Sequence, residues 1–229
     1  MHVVAFHHIT PQPQNQFDVT PSALEAFVRA VLDGGCRIVP PSNALRLVED
    51  DRPDRSEDTV ALIFDDGYHS TMAYALPLMS RYGVGFGMAP VPGAMRAAER
   101  PTYFAHDSTE FVTPEQLATW LDAGGELLGH SYSHVAMHAL STSTLEFELD
   151  RELAAYREFG LTPPTMFVYP FGATDDRVTR AVGKRYRLAF ATGDGRPASP
   201  RYRFDIHRIT YRTHKTEQLL RLEWAALER

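Results

Sequence analysis

The chain is poor in cysteine, with only Cys36 among its 229 residues. An internal disulfide is thereby excluded. Cys36 lies beside an apolar stretch, so it reads as a small buried hydrophobe and not as a nucleophile. No apolar run approaches the length of a membrane-spanning helix. The start, Met1-His2-Val3-Val4-Ala5-Phe6, enters a strand-like run directly. It has no basic leader, no long apolar segment and no small-residue cleavage site, so the expectation is a cytoplasmic protein. An excess of basic charge is also missing. The formal net charge is −6, with both signs intermixed, which argues against a nucleic-acid or anionic-membrane surface. Neither a linker of biased composition nor an internal repeat occurs, so one domain over residues 1–229 is expected.

What is present is ordinary for a globular protein: 44% hydrophobic residues, enough for a sizeable core. Strand-type and helix-type stretches alternate along the whole chain. Residues 3–9 read as a strand, and Thr20-Pro21 opens a helix with Leu24, Phe27, Val28 and Val31 on one face. Strands are expected at 37–39, 59–64, 84–89, 126–129, 165–169, 188–191 and 204–211. Between them, helices are expected at 42–48, 70–82, 113–123, from Ser143/Thr144 to 159, and at 175–186, with a last helix from Thr216. This order specifies an α/β protein with a mostly parallel sheet. Residues 49–58 form a charged loop, and 90–111 a long irregular segment of the kind that serves as a lid or binding loop.

The organising stretch is Ala61-Leu62-Ile63-Phe64-Asp65-Asp66-Gly67-Tyr68. A buried strand delivers two adjacent carboxylates, whose mutual repulsion and burial call for a cation nearby. Strand alternation would let one Asp bind a metal while its neighbour stays free as a base. Further on comes His130-Ser131-Tyr132-Ser133-His134, two histidines spaced to share one face of a helical turn and so to reach one ion. His138 continues the spacing as a decoy or substitute ligand. The pattern is weak alone, but together with the double Asp it suggests an Asp-His-His site with open positions for water. Oxygen and imidazole donors suit Zn first, with Co, Ni, Mn or Fe as alternatives. Each suspicious group, His7, Asp65/Asp66, His130, Phe171 and Arg208, lies just past a strand end, where α/β barrels collect their active sites.

Phe64-Asp65-Asp66-Gly67, His130-Ser131-x-x-His134 and Tyr169-Pro170-Phe171-Gly172, in that order, resemble the polysaccharide deacetylases. These are the NodB-type proteins of carbohydrate esterase family 4. Phe6-His7-His8-Ile9 is similar to that family's Tyr-His-x-Ile segment, and residues 111–116 with Gly124-Gly125-Glu126 fit as well. The resemblance implies an irregular (β/α)7-type barrel, a deformed TIM barrel. It implies Asp66, His130 and His134 as metal ligands and Asp65 as general base, removing a proton from water that attacks an N-acetyl carbonyl. It places the oxyanion near the metal and the Phe171 N–H, with Tyr169 and Tyr68 beside the substrate. Pro170 fixes that turn and Gly172 lets the backbone approach.

Two positions depart from the family pattern. Where many members carry an Arg two residues before the Pro of the third motif, this chain has Val168. Arg208 is the candidate replacement that steadies the base, and the sequence matches the Tyr-Pro-Phe/Tyr-Gly subgroup. The general acid has no clean match either. His207 and His7 compete for it, although strand alternation turns His207 away if Arg208 points inward. Tyr103, Phe104, His106 and Phe111 in the long loop could shape a substrate groove or simply anchor the loop. The reading is a metal-dependent deacetylase of an amino sugar or related glycoside, with a soluble intracellular small-molecule or glycoside substrate expected and its oligomeric state open. The alternatives are an amidase or imidase on a non-carbohydrate amide, and a silent carbohydrate-binding relative.

Overall fold

The structure is a computed structural model that describes residues 1–49, 59–104, 110–193, 196 and 198–212. Among these, eight strands pair in parallel: β1 (His2–Phe6), β2 (Arg37–Val39), β3 (Thr59–Asp66), β4 (Gly87–Pro90), β5 (Glu126–Leu127), β6 (Met166–Val168), β7 (Leu188–Thr192) and β8 (Ile206–Thr210). The helices are α1 (Pro21–Asp33), α2 (Ser42–Glu49), α3 (Leu76–Tyr82), α4 (Pro114–Asp122), α5 (Thr142–Glu158) and α6 (Asp176–Gly183).

Seven strands run in the order β5-β4-β3-β1-β8-β7-β6. The two ends of that order meet at Gly129 and Phe167. Gly129 N–H donates to the Met166 carbonyl at 2.9 Å, and Val168 N–H donates to the Gly129 carbonyl at 2.8 Å. The ring so closed leaves neither terminal strand as a bare edge. β2 lies off the ring: it pairs with the first half of β3, from Arg37 opposite Thr59, while β4 takes the second half from Ile63 opposite Gly87. The irregular seven-stranded barrel expected from the sequence is therefore the fold.

Alternation along the strands builds two apolar layers. Ala61 and Ile63 of β3 join Val3, Val168, Phe190 and Ile206 in the barrel interior. Leu62 and Phe64 face outward, into a layer shared with Leu24, Phe27 and Val28 of α1, Met79 of α3 and Trp120 of α4. Trp120 meets Phe86 edge-on at 4.6 Å, and its indole N–H donates to the Glu126 carbonyl at 3.1 Å. Ala44, Leu45 and Val48 of α2 join the interior cluster. Glu49 at the end of α2 pairs with Arg187, next to the start of β7, at 2.5 Å. α2 thus closes the barrel where the strands begin and leaves the opposite mouth to function.

Caps follow the sequence closely. Thr20 Oγ1 accepts from Ala23 N–H ahead of Pro21, and Thr113 forms a reciprocal box with Gln116. Differences have local causes. α5 starts earlier than Ser143/Thr144 because Ser141 supplies the cap, its Oγ accepting from Thr144 N–H at 3.2 Å. The expected helix 70–82 is divided: Thr71–Ala75 is a π turn, with Leu76 N–H reaching back to the Thr71 carbonyl, and α3 follows. Pro77, which has no N–H to donate, sits at that junction. The helix expected from Thr216, residues 50–58 and His106 lie outside the described residues. Among the described residues no helix is long and apolar enough to cross a membrane.

Candidate metal centre

Because all strands are parallel, their C-terminal ends open at one mouth. A cavity of about 200 Å³ there is lined by His7 after β1, Asp65 and Asp66 of β3, His130 and His134 after β5, and Arg208 of β8, among others. Asp65 continues the inward set of Ala61 and Ile63. Plain alternation would send Asp66 to the opposite face, away from Asp65. Its backbone instead turns into the left-handed region, φ 69°, and both carboxylates reach the same cavity. The expectation that alternation separates the two roles is corrected here: the two Asp side chains differ in partners, not in direction.

The two histidines also reach one point, but not on a helix. Residues 130–134 form an irregular loop in which Ser131 has φ 60° and His134 φ 50°. Non-glycine residues rarely take this conformation, which costs about 1–2 kcal/mol each. His134 Nε2 lies 3.3 Å and His130 Nε2 3.5 Å from Asp66 Oδ1. One donor atom from each of the three residues falls within 4.8 Å of the others, and all three residues are buried. His138 is exposed in the turn Met137–Ala139 and stands apart from this set.

Neighbouring groups fix each side chain. His130 Nδ1 lies 2.8 Å from the Val168 carbonyl. That bond sets the tautomer with Nδ1 protonated and leaves Nε2 as a bare donor toward Asp66. Its backbone N–H donates to Glu152 Oε1 at 2.5 Å. Arg208 Nη1 donates to Asp65 Oδ1 at 2.8 Å, with His7 Nε2 3.9 Å from Asp65 Oδ2. Burial works against the Asp65 charge, yet Arg208, His130 and His7 outweigh it and hold the carboxyl below its ordinary range. Asp66 is held low as well: burial opposes its charge, and His134 and His130 overcome that. His134 is also lowered, to about 4, because burial disfavours its cation more than Asp66 supports it, so the imidazole stays neutral where the carboxylate stays charged. A neutral imidazole is the form that binds a metal.

These residues fit a divalent ion on their own chemistry. Asp66 Oδ1 is buried and accepts no hydrogen bond, although a buried carboxylate oxygen is normally paired. Two imidazole nitrogens aim at the same place. Two N donors and one O donor, with the cavity on the remaining side, make an open site of catalytic type.

The other expected site residues divide. His7 lines the cavity, whereas His207 does not: its ring packs against Gly193, and Nε2 is 3.6 Å from Asp205. Arg208 facing inward turns its neighbour outward, as alternation requires. Tyr169 lines the cavity, but its hydroxyl is spent on the Phe204 carbonyl at 2.9 Å. Tyr68 turns instead into the loop's aromatic cluster, stacked on Phe111 at 5.2 Å. Phe104 is buried in that cluster as an anchor, while Tyr103 is exposed and lines the cavity. Tyr103 and the exposed Phe171 lie 4.4 and 4.7 Å from the His134 ring and form one wall of the mouth. Cys36 sits in the core as expected. Phe17, Thr192, Thr210 and Arg212 also line the cavity but belong to no motif that would mark them. Glu152 could have been found, since a carboxylate in phase with the apolar face of Leu145, Leu149 and Tyr156 is out of place on a solvent-facing reading.

Comparison with known proteins accords with this geometry. The polysaccharide deacetylase family model matches residues 52–190. YxkH of Bacillus subtilis (strain 168), named for that family, is 22% identical over 209 residues, which is 90% of this chain and 70% of the relative. IcaB from Ammonifex degensii superimposes with a TM-score of 0.81 at 16% identity, over 97% of this chain and 96% of that one. The Streptococcus pyogenes deacetylase PplD, solved with acetate, gives 0.78 at 18% identity, covering 96% of both chains. The barrel is thus of the NodB-like deformed type, and with more than half of its length matched by the family model, the chain belongs to the polysaccharide deacetylase family.

Proposed function

We propose that the protein is a metal-dependent deacetylase that hydrolyses the N-acetyl group of an amino sugar or related glycoside. The observation that carries this is the convergence of Asp66, His130 and His134 beside a second carboxylate, Asp65, that is ion-paired and not part of the ligand set. An ion held by Asp66, His130 and His134, zinc in the first instance, would lower the pKa of a water and polarise the acetyl carbonyl.

The remaining work falls to the chain. Asp65, kept ionised by Arg208, takes the proton from the attacking water. Arg208 fixes the carboxylate through Oδ1 and leaves Oδ2 toward His7 and the cavity. His7 is the general acid that protonates the leaving amine, since of the two histidines in question it alone lines the cavity. The Phe171 N–H, on the turn that Pro170 and Gly172 shape, offers a donor to the oxyanion. Tyr103 and Phe171 present exposed rings to a sugar face. That PplD is solved with acetate, the leaving product of such a reaction, supports the same reading for this fold.

Acetate release from metal-loaded protein tests the proposal, with a nucleotide-linked N-acetylhexosamine, free and oligomeric N-acetylglucosamine and an N-acetylated glycoside as the panel. Asp65→Asn should keep the metal and lose turnover by on the order of 10²–10⁴-fold. Metal-loaded wild type that releases acetate from none of the four would overturn the carbohydrate assignment.

A further inference from the structure

The loop that carries both histidines is held from behind by α5. Six side chains of α5 are buried, Leu145, Glu148, Leu149, Glu152, Ala155 and Tyr156, so two carboxylates lie within an otherwise apolar stripe. Glu152 is fully buried and Glu148 8% exposed. Glu152 Oε1 accepts from the His130 N–H at 2.5 Å, and Oε2 accepts from the Tyr186 hydroxyl at 2.7 Å. One turn earlier, Glu148 Oε2 accepts from the Ser133 N–H at 3.1 Å and Oε1 from the Ser133 hydroxyl at 2.6 Å. Residues four apart on a helix are about 6 Å apart along its axis. Two carboxylates at that spacing meet two backbone donors three residues apart in the loop. The segment between and after them contains the left-handed Ser131 and His134, a conformation that persists only where the surroundings over-determine it. All four carboxyl oxygens are engaged, two with the loop's backbone donors and two with hydroxyls.

We infer that Glu148 and Glu152 are positioning residues, a two-point template on α5 that holds residues 130–134 in the one backbone form that aims both imidazoles at Asp66. Neither touches the ion or the substrate; both act through the loop. The inference rests on the metal-centre reading given above.

The test is Co(II) affinity and the Co(II) visible spectrum, measured on the full chain at a temperature well below every variant's melting point. Glu148→Met and Glu152→Met keep length and remove the acceptors; they should weaken Co(II) binding about 10–100-fold and alter the spectrum. Glu148→Gln and Glu152→Gln retain one acceptor oxygen, and the Ser133 and Tyr186 hydroxyls can rotate to accept from the new amide. They should bind within about threefold of wild type. Leu149→Ala, on the same buried stripe but touching no loop donor, should lower the melting temperature and leave Co(II) affinity and spectrum unchanged. Should Glu152→Met not fold, Glu148→Met, whose position reaches the surface, carries the test. Met variants that match wild type overturn the positioning role alone, as does a Leu149→Ala variant that loses as much affinity as they do. Wild type that binds no Co(II) removes the metal centre and this inference with it.

Discussion

Arg208 Nη1 donates to Asp65 Oδ1 at 2.8 Å, and both side chains are buried although 143 residues separate them in the chain. The strand order explains the meeting: β1 alone separates β3 from β8. Breaking such a pair from one side leaves a buried charge without compensation, at a cost of about 3–5 kcal/mol. Arg208→Met should therefore lower the melting temperature of the metal-free protein. It should also move the acid limb of the kcat/KM profile. Arg208 depresses the Asp65 carboxyl, so its loss lets burial raise that value, and the base becomes available only at higher pH. An upward shift of the acid limb by about one unit or more is expected; a profile that keeps its acid limb would show that Asp65 is not held ionised by Arg208.

The proposed ligand set Asp66, His130 and His134 is tested by chelation. Chelation should abolish acetate release, and added Zn(II) or Co(II) should restore it. An ion that binds only the folded chain stabilises it by about 2.7 kcal/mol at 100 times its Kd. Thermal melts should therefore rise with added metal in wild type and in Asp65→Asn, but not in His134→Ala, where a donor converging on Asp66 is gone. An equal rise in His134→Ala would place the ion elsewhere.

Much of this site is legible in the sequence because its residues lie at strand ends, and strands announce themselves by apolar runs closed by glycine or proline. Asp65 and His7 follow from that rule; Arg208 instead lies in the middle of β8 and not past its end, and alternation from it turns His207 outward. What the sequence hides is backbone geometry. The spacing of His130 and His134 suits a helix, yet Ser131 and His134 adopt positive φ, which hydrogen bonds to side chains of α5 sustain and no local propensity reveals. Asp66 defeats strand alternation for the same kind of reason. Tyr68 sits next to the carboxylate motif but is claimed by Phe111, an aromatic 43 residues later whose role depends on how the long loop folds back.

Gly172 has φ 67°, and a Cβ there would lie 2.0 Å from Thr192 Oγ1 and 2.8 Å from the Thr192 backbone nitrogen. The clash is with backbone as well as side chain, so rotation of Thr192 cannot relieve it. Gly172→Ala should push the turn of residues 170–172 off β7, displacing the Phe171 N–H. The expected result is a loss of at least about 1–2 kcal/mol in stability together with a fall in kcat larger than any change in metal affinity. Thr192→Ala/Gly172→Ala should regain only part of it, because the contact with the backbone nitrogen persists. Full recovery in the double variant would show that side-chain crowding is the whole effect.

Glu152 links the metal loop to pH through stability. Burial raises its carboxyl from an ordinary 4.5 to about 7, against the bonds from Tyr186 and the His130 N–H. Between those values the folded protein keeps a proton that the unfolded chain has released. Stability is therefore highest below about pH 4.5 for this group, falls as pH rises toward 7, and levels off above. The whole drop is on the order of 3 kcal/mol. Glu152→Gln resembles the protonated form at every pH and should lack this slope. In metal-free buffer, the melting temperature of wild type minus that of Glu152→Gln should decline through the window from 4.5 to 7 by on the order of 5–10 °C. Groups common to both proteins cancel in that difference, which leaves Glu152 as its source. A difference that stays flat with pH would mean that the hydrogen bonds to Glu152 stabilise its charge as well as water does, and that α5 holds the loop with an ionised carboxylate throughout.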